Sequence, residues 1–293
     1  MAIRWYTLAP PMVVYFFAIL VITKLAEALL FRYCTVYRDH LSWHQRRKFI
    51  AHCWLALTAV VGFIIQCIAY FPAIFKGTVV PNTNVHLLLG LSTIIIVVYM
   101  HDLAYTRANI PLMIHHLSTA LALVLVVFSI NDTNSVQTFL MFSTIMLMFE
   151  TLSGTTYIAM ILHRLWASPL PHPIRYMWAG RFMRLAAWWF VITRVFVYTF
   201  ALTRFIQVAS KGQSKLEFAP PGELPVVALI GNWFYVWAFY LPVMFLALMY
   251  AHYHTAVVMF KLARRYIGRD VKPPGALEGI VVVERDDKDL LAT

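Results

Sequence analysis

Seven long apolar runs, separated by short polar connections, leave this chain few ways to fold. A helix that crosses a bilayer needs about 20 apolar residues, and several of the runs approach that length. They predict spans at about 10–31, 50–75, 84–101, 109–130, 136–163, 183–209 and 225–256. Of the 293 residues, 61% are hydrophobic and only 13% charged. A soluble domain of this size needs far more charged surface. The expected fold class is therefore all-α: a polytopic membrane bundle of about seven helices.

The formal charge of +11 does not mark a nucleic-acid-binding protein. The basic residues lie between the apolar runs, and no basic stripe sits on a soluble domain. Their placement alternates. Arg32, Arg38, Arg46, Arg47 and Lys48 follow the first run, Arg107 the third, Arg164, Arg175 and Arg181 the fifth, and Lys261, Arg264, Arg265 and Arg269 the seventh. The second connection has only Lys76, the fourth has Asp132 and no basic residue, and the sixth balances Lys211 and Lys215 against Glu217 and Glu223. The positive-inside rule then places the N-terminus in the lumen and the C-terminus in the cytoplasm.

The first run reads as a span rather than a cleaved signal, because it reaches Phe31 with no small-residue cleavage site. Asn131-Asp132-Thr133 matches a glycosylation acceptor, but on a connection too short to stand clear of the bilayer. Ser168–Pro173 is a proline-broken connection, and the tail after Lys272-Pro273-Pro274 is expected to be mostly disordered. Cys34, Cys53 and Cys67 form no CxxC pattern, so neither a disulfide framework nor a zinc site is expected.

Ionisable groups inside spans are expensive and so are functional candidates by default. Asp102 and the pair His115–His116 flank the bend between the third and fourth runs. In a helical hairpin centred near Arg107, His115 lies level with about Tyr99 and Asp102 with about Leu112. At about 1.5 Å per residue, the carboxylate and the imidazoles then share a depth within about one turn. A carboxylate beside an imidazole fixes its tautomer and strengthens it as a base or nucleophile. Adjacent helical residues point about 100° apart, so at most one histidine faces a central pocket. Two readings stay open: polar glue between helices, or a site for lipid chemistry.

Glu150 and Arg194 fall deep in the fifth and sixth spans, where pairing with each other is the simplest solution. Ser153, one turn on, can bond Glu150 or a lipid headgroup. Lys24 and Glu27 can pair at i, i+3, Gln66 and Asn232 suit interhelical bonds, Arg204 should snorkel, and Pro242 should kink its helix. His52, His101, His115, His116, His252 and His254 lie toward one side, but without the HxxHH or HxxxH boxes of a di-iron site, so no metal is expected.

Four stretches together resemble the TLC-domain family (TRAM, Lag1 and CLN8 homology), most closely its TMEM56-like, TLC-domain-containing protein 4 branch. They are LSWHQRRKFIAHCWLALTAVVGFI, YMHDLAYTRANIPLMIHHLSTALALVLV, FETLSGTTYIAMILHRL and FVITRVFVYTF. The resemblance implies helix one and its basic connection over 1–40, a TLC domain over 41–266 and a cytoplasmic tail over 267–293. It implies an endoplasmic-reticulum or other endomembrane protein whose helices surround a lipid-sized cavity. In the family's ceramide synthases the two histidines serve acyl transfer, which carries over to His115 and His116, with Asp102 beside them and acyl-CoA as co-substrate. The synthases' acidic HD-x-x-D stretch is replaced here by FETLSGTTY. Other family members regulate lipids or handle cargo without established catalysis. Membrane lipids are the expected partners, a homodimer is left open, and no bound cofactor or nucleic acid is expected.

Overall fold

The computed structural model describes residues 5–71, 82–106, 109–133, 136–166, 173–210 and 233–267. Among them are eight α-helices and no strand: α1 (Trp5–Tyr33), α2 (Trp43–Ala69), α3 (Asn82–Tyr105), α4 (Ile110–Thr133), α5 (Val136–Thr151), α6 (Gly154–Trp166), α7 (Pro173–Ser210) and α8 (Trp233–Ile267). A π-helical turn, Val36–His40, joins α1 to α2. The bend at Arg107, most of the Ser168–Pro173 connection, Lys76, Asn232, the loop with Lys211 to Glu223 and the 268–293 tail lie outside the described residues, as do the side chains of Asn131 and Arg204.

Six segments are long and apolar enough to cross a membrane, from Pro10–Tyr33 to Tyr235–Tyr266, with a shorter apolar stretch at Leu89–Tyr105 in α3. The chain is an all-α, multi-pass membrane protein. Local chemistry sets the helix starts. Ser42 and Gln45 form a reciprocal capping box at the head of α2. The Asn109 side chain accepts the Leu112 amide at 3.0 Å, with Pro111 in the first turn of α4. α7 begins at Pro173, about ten residues before its apolar run, because proline suits the first position of a helix. α8 likewise outlasts its apolar run and ends on Arg264 and Arg265. Pro242 lies inside α8, and the helix continues on both sides of it.

The fifth span, expected as one helix, is two. It breaks at Leu152–Ser153, where the Ser153 amide bonds the Glu150 carbonyl at 2.8 Å and the Ser153 hydroxyl donates to the Phe149 carbonyl at 2.7 Å. The break lets the two halves do different jobs. α6 joins the wall, in a ring that runs α2, α3, α4, α8, α7, α6 and back to α2. α5 touches α2, α3, α4 and α7, and so fills the middle. Every residue from Thr144 to Thr151 is buried. Over Thr144–Thr151 the middle of the ring is occupied by α5. α1 lies outside the ring, chiefly against α3, with 11% of its most apolar window buried.

Glycine permits two close approaches: a Cβ on Gly180 of α7 would stand 2.7 Å from the Tyr266 Cβ of α8, and Gly62 is the other. A Cβ on Gly62 of α2 would stand 2.8 Å from the Thr151 Cγ2 of α5 and 3.2 Å from Leu91 Cδ1 of α3, whereas one on Gly90 meets nothing within 4 Å. We expect Gly62→Val to destabilise the detergent-solubilised protein by about 1–3 kcal/mol, the usual penalty of overpacking. Gly90→Ala should leave the thermal midpoint at or above that of the wild type.

Candidate functional site

The hairpin of α3 and α4 brings together the residues that equal depth predicted. His116 Nε2 lies 2.8 Å from Asp102 Oδ2, and both side chains are buried. Asp102 is held in turn by the Thr106 hydroxyl, which donates to Oδ1 at 3.0 Å. His115 points about 100° away on the same helix and so reaches a different carboxylate. Its Nε2 stands 3.3 Å from the Tyr99 hydroxyl and 3.9 Å from Glu150 Oε2. Tyr99 donates to Glu150 Oε2 at 2.5 Å, and its ring lies against the His116 imidazole with centroids 4.0 Å apart. Two adjacent histidines on α4 thus serve two acids, on α3 and on the central helix α5.

These contacts fix the tautomers. The carboxylate of Asp102 requires a proton on His116 Nε2. The Tyr99 hydroxyl gives its only proton to Glu150, so it accepts from His115 Nε2–H. Both imidazoles therefore carry their lone pair on Nδ1, and each Nδ1 is buried with no hydrogen-bond partner. Buried polar atoms without partners are rare enough in folded proteins that each calls for a reason.

Glu150 and Arg194, expected to pair, do not approach within 4 Å of each other. Glu150 is satisfied by two phenols instead: Tyr99, and Tyr157 at 2.9 Å from α6. Arg194 of α7 donates from Nη2 to the Ser153 hydroxyl and lies over the rings of Phe190 and Phe149, with centroids at 4.3 and 5.6 Å. Its Nε and Nη1, and Glu150 Oε1, have no partner. Phenols take the place of the guanidinium: Tyr157 reaches Glu150 from α6, across the Ser153 break, and Tyr99 reaches it from α3.

The third imidazole is His252 of α8, whose centroid is 5.3 Å from that of His115. Its Nδ1 is 2.9 Å from the Tyr198 hydroxyl, and its buried Nε2 has no partner. Tyr99, Tyr157 and Tyr198 went unassigned in the sequence; the available signal was a phenol at helical spacing from an intramembrane acid or arginine. His101 belongs elsewhere, 3.4 Å from the Thr23 hydroxyl of α1, and Lys24 pairs with Glu27 at 2.8 Å. Gln66 bridges α2 to α5 by donating to the Thr144 carbonyl at 3.1 Å and accepting from Thr151 at 2.5 Å. Among the described residues, no three His, Cys, Asp or Glu side chains gather as metal ligands would. A cleft of about 800 Å³ lies between the end of α1 and the start of α2, and a smaller one adjoins Met12 and Leu89. Neither is lined by His115, His116, Asp102 or Glu150.

The assembly can thus supply an acid-oriented imidazole base, a second imidazole in the same tautomer and a guanidinium with two free donor atoms, all from a buried position. No family model, curated protein or solved structure matches this chain.

The Ser153–Arg194 contact is open to a direct check. Ser153→Ala removes the acceptor of a buried guanidinium, and we expect it to cost about 1–3 kcal/mol of stability. In an Arg194→Met background the same change should cost less, with a coupling of about 0.5–3 kcal/mol in a double-mutant cycle.

Proposed function

We propose that this chain is a TLC-type protein of lipid metabolism in an endomembrane, acting on a long-chain lipid through His116 and Asp102. The observation that carries the reading is the buried 2.8 Å contact between the two, which leaves the imidazole's other nitrogen without a partner. The sequence resemblance to the TLC-domain family supports it, as does the siting of the couple inside spans, where ionisable groups persist chiefly for function.

The chemistry proposed is acyl transfer. His116 Nδ1 takes the proton of a lipid hydroxyl or amine as that atom attacks a thioester carbonyl. The new ester or amide bond forms, the carbon–sulfur bond breaks, and the proton leaves with the thiol. Asp102 holds the imidazole in its tautomer and stabilises its cationic form. His115, whose ring centroid is 5.4 Å from that of His116, stands beside it to meet charge on the substrate's polar end. The basic connections are assigned to the cytoplasm, with acyl-CoA approaching from that side.

A second reading is favoured by α5 filling the middle of the ring. On it the protein binds, moves or senses lipids without chemistry, and the polar network is glue. Lipidomics on cells carrying wild type, His116→Ala or Asp102→Asn separates the two. Acyl transfer predicts that one lipid class falls by on the order of a hundredfold in flux with His116→Ala, the loss of a general base, and by less with Asp102→Asn. If both variants accumulate normally and their lipid profiles equal the wild type's, the catalytic reading fails and the non-catalytic one stands.

A further inference from the structure

The 800 Å³ cleft lies far from the buried histidines in chemistry as well as in lining. Its wall carries Lys24, Arg32, Arg38, Arg46 and Arg47, with Glu27 the one carboxylate among the lining residues. Two of the five cations are neutralised: Lys24 by Glu27 and Arg38 by Asp39, each at 2.8 Å. Arg32, Arg46 and Arg47 have no carboxylate within 4 Å among the described residues.

A run of arginines after a span satisfies the positive-inside rule by charge alone, and then each side chain should extend freely into water. Arg46 and Arg47 do not. The Arg46 guanidinium lies over the rings of Phe31 and Tyr37, with centroids at 5.3 and 5.8 Å, and donates to the Arg38 carbonyl. The Arg47 guanidinium lies over Trp43 and Tyr105, at 4.4 and 4.2 Å. The Nε of each is buried with no partner. Arginine planes held on aromatic rings in the wall of a cleft form a preorganised cationic site for an anion. The volume fits a small-molecule headgroup.

We propose that this cleft binds the phosphomonoester headgroup of an anionic phospholipid, taken from the bilayer leaflet at that end of the bundle. Five cations against the carboxylates of Glu27 and Asp39 leave three net positive charges, which match a group that carries nearly two negative charges at neutral pH better than a singly charged diester. The lipid source follows from α1. The helix that forms one wall of the cleft lies outside the ring and exposes Val21, Leu25 and Leu29 over the turns leading to it. Acyl chains lie along that face while the headgroup occupies the arginines. Clustered basic side chains at the end of a span are where such headgroups are met. This site does not depend on whether His116 is catalytic.

The test uses the full-length protein in neutral detergent and native mass spectrometry with dioctanoyl phosphatidate. Dioctanoyl phosphatidylcholine, dioctanoyl phosphatidylserine and inorganic phosphate form the other arms. Phosphatidate should bind about tenfold more tightly than either diester, and Arg32→Gln should weaken it about tenfold, the loss of one charged donor. Arg32 is exposed, so this variant is expected to fold; Arg46→Gln plus Arg47→Gln should abolish the preference. Arg184→Gln removes the same charge from an exposed site on α7 and should change nothing. Equal binding of phosphatidate and phosphatidylserine, or equal losses in Arg32→Gln and Arg184→Gln, would overturn the proposal as diffuse electrostatics. Inorganic phosphate displacing phosphatidate at equal concentration would overturn the lipid assignment in favour of a soluble phosphate.

Discussion

A carboxylate on a helix surrounded by other helices has no water to turn to, and Glu150 is such a group. α5 is buried on every side over its last two turns, so the donors for Glu150 must come from its neighbours. They come as hydroxyls, from Tyr99 of α3 and Tyr157 of α6. The break at Leu152–Ser153 makes the second donor possible, because it turns the chain out of the centre and into the wall directly after the acid. It also frees the Ser153 hydroxyl to receive Arg194. One interruption in the helix thus gives the acid a second donor, gives the guanidinium an acceptor and turns the chain. An uninterrupted α5–α6 helix would carry the lower half of the span through the middle of the ring, where α2 and α7 now pack on α6.

Much of this was legible in the sequence. Helix length and hydropathy gave the all-α multi-pass class, with six segments long enough to span and the 84–101 run a shorter apolar one, and equal depth across a short bend put Asp102 beside the histidines of α4, because hairpin geometry is nearly independent of side-chain detail. The divergence of His115 and His116 follows from 100° per residue. What depends on the relative rotation of distant helices was not legible. Glu150 and Arg194 share a depth, and depth alone suggested a pair, but whether two side chains at one depth meet is set by packing that no periodicity encodes. Nor does hydropathy tell a wall helix from a central one: the 136–163 run gives no sign that Thr144–Thr151 is enclosed while α6 joins the wall. The Ser153-Gly154 step gives no sign of the break, because a small polar pair inside an apolar run is compatible with an unbroken helix.

The same 100° arithmetic explains α3, the helix that joins the two charged regions of the molecule. It carries two polar stripes. Tyr99 and Asp102, three apart, face α4 and α5, while His101 and Tyr105, four apart, face α1, where Thr23 and Glu27 are also four apart. Trp54 of α2 ties the second set down by donating to the Thr23 hydroxyl at 2.9 Å. α1 buries so little apolar surface that these polar contacts, rather than the hydrophobic effect, must fix its register. They also fix the rotation of α3. A turn of α3 about its axis that took Tyr105 away from Glu27 would swing Asp102 away from His116. The outermost helix of the bundle thereby helps to aim the most deeply buried couple, and the arginine cleft beside Glu27 sits on one end of that linkage.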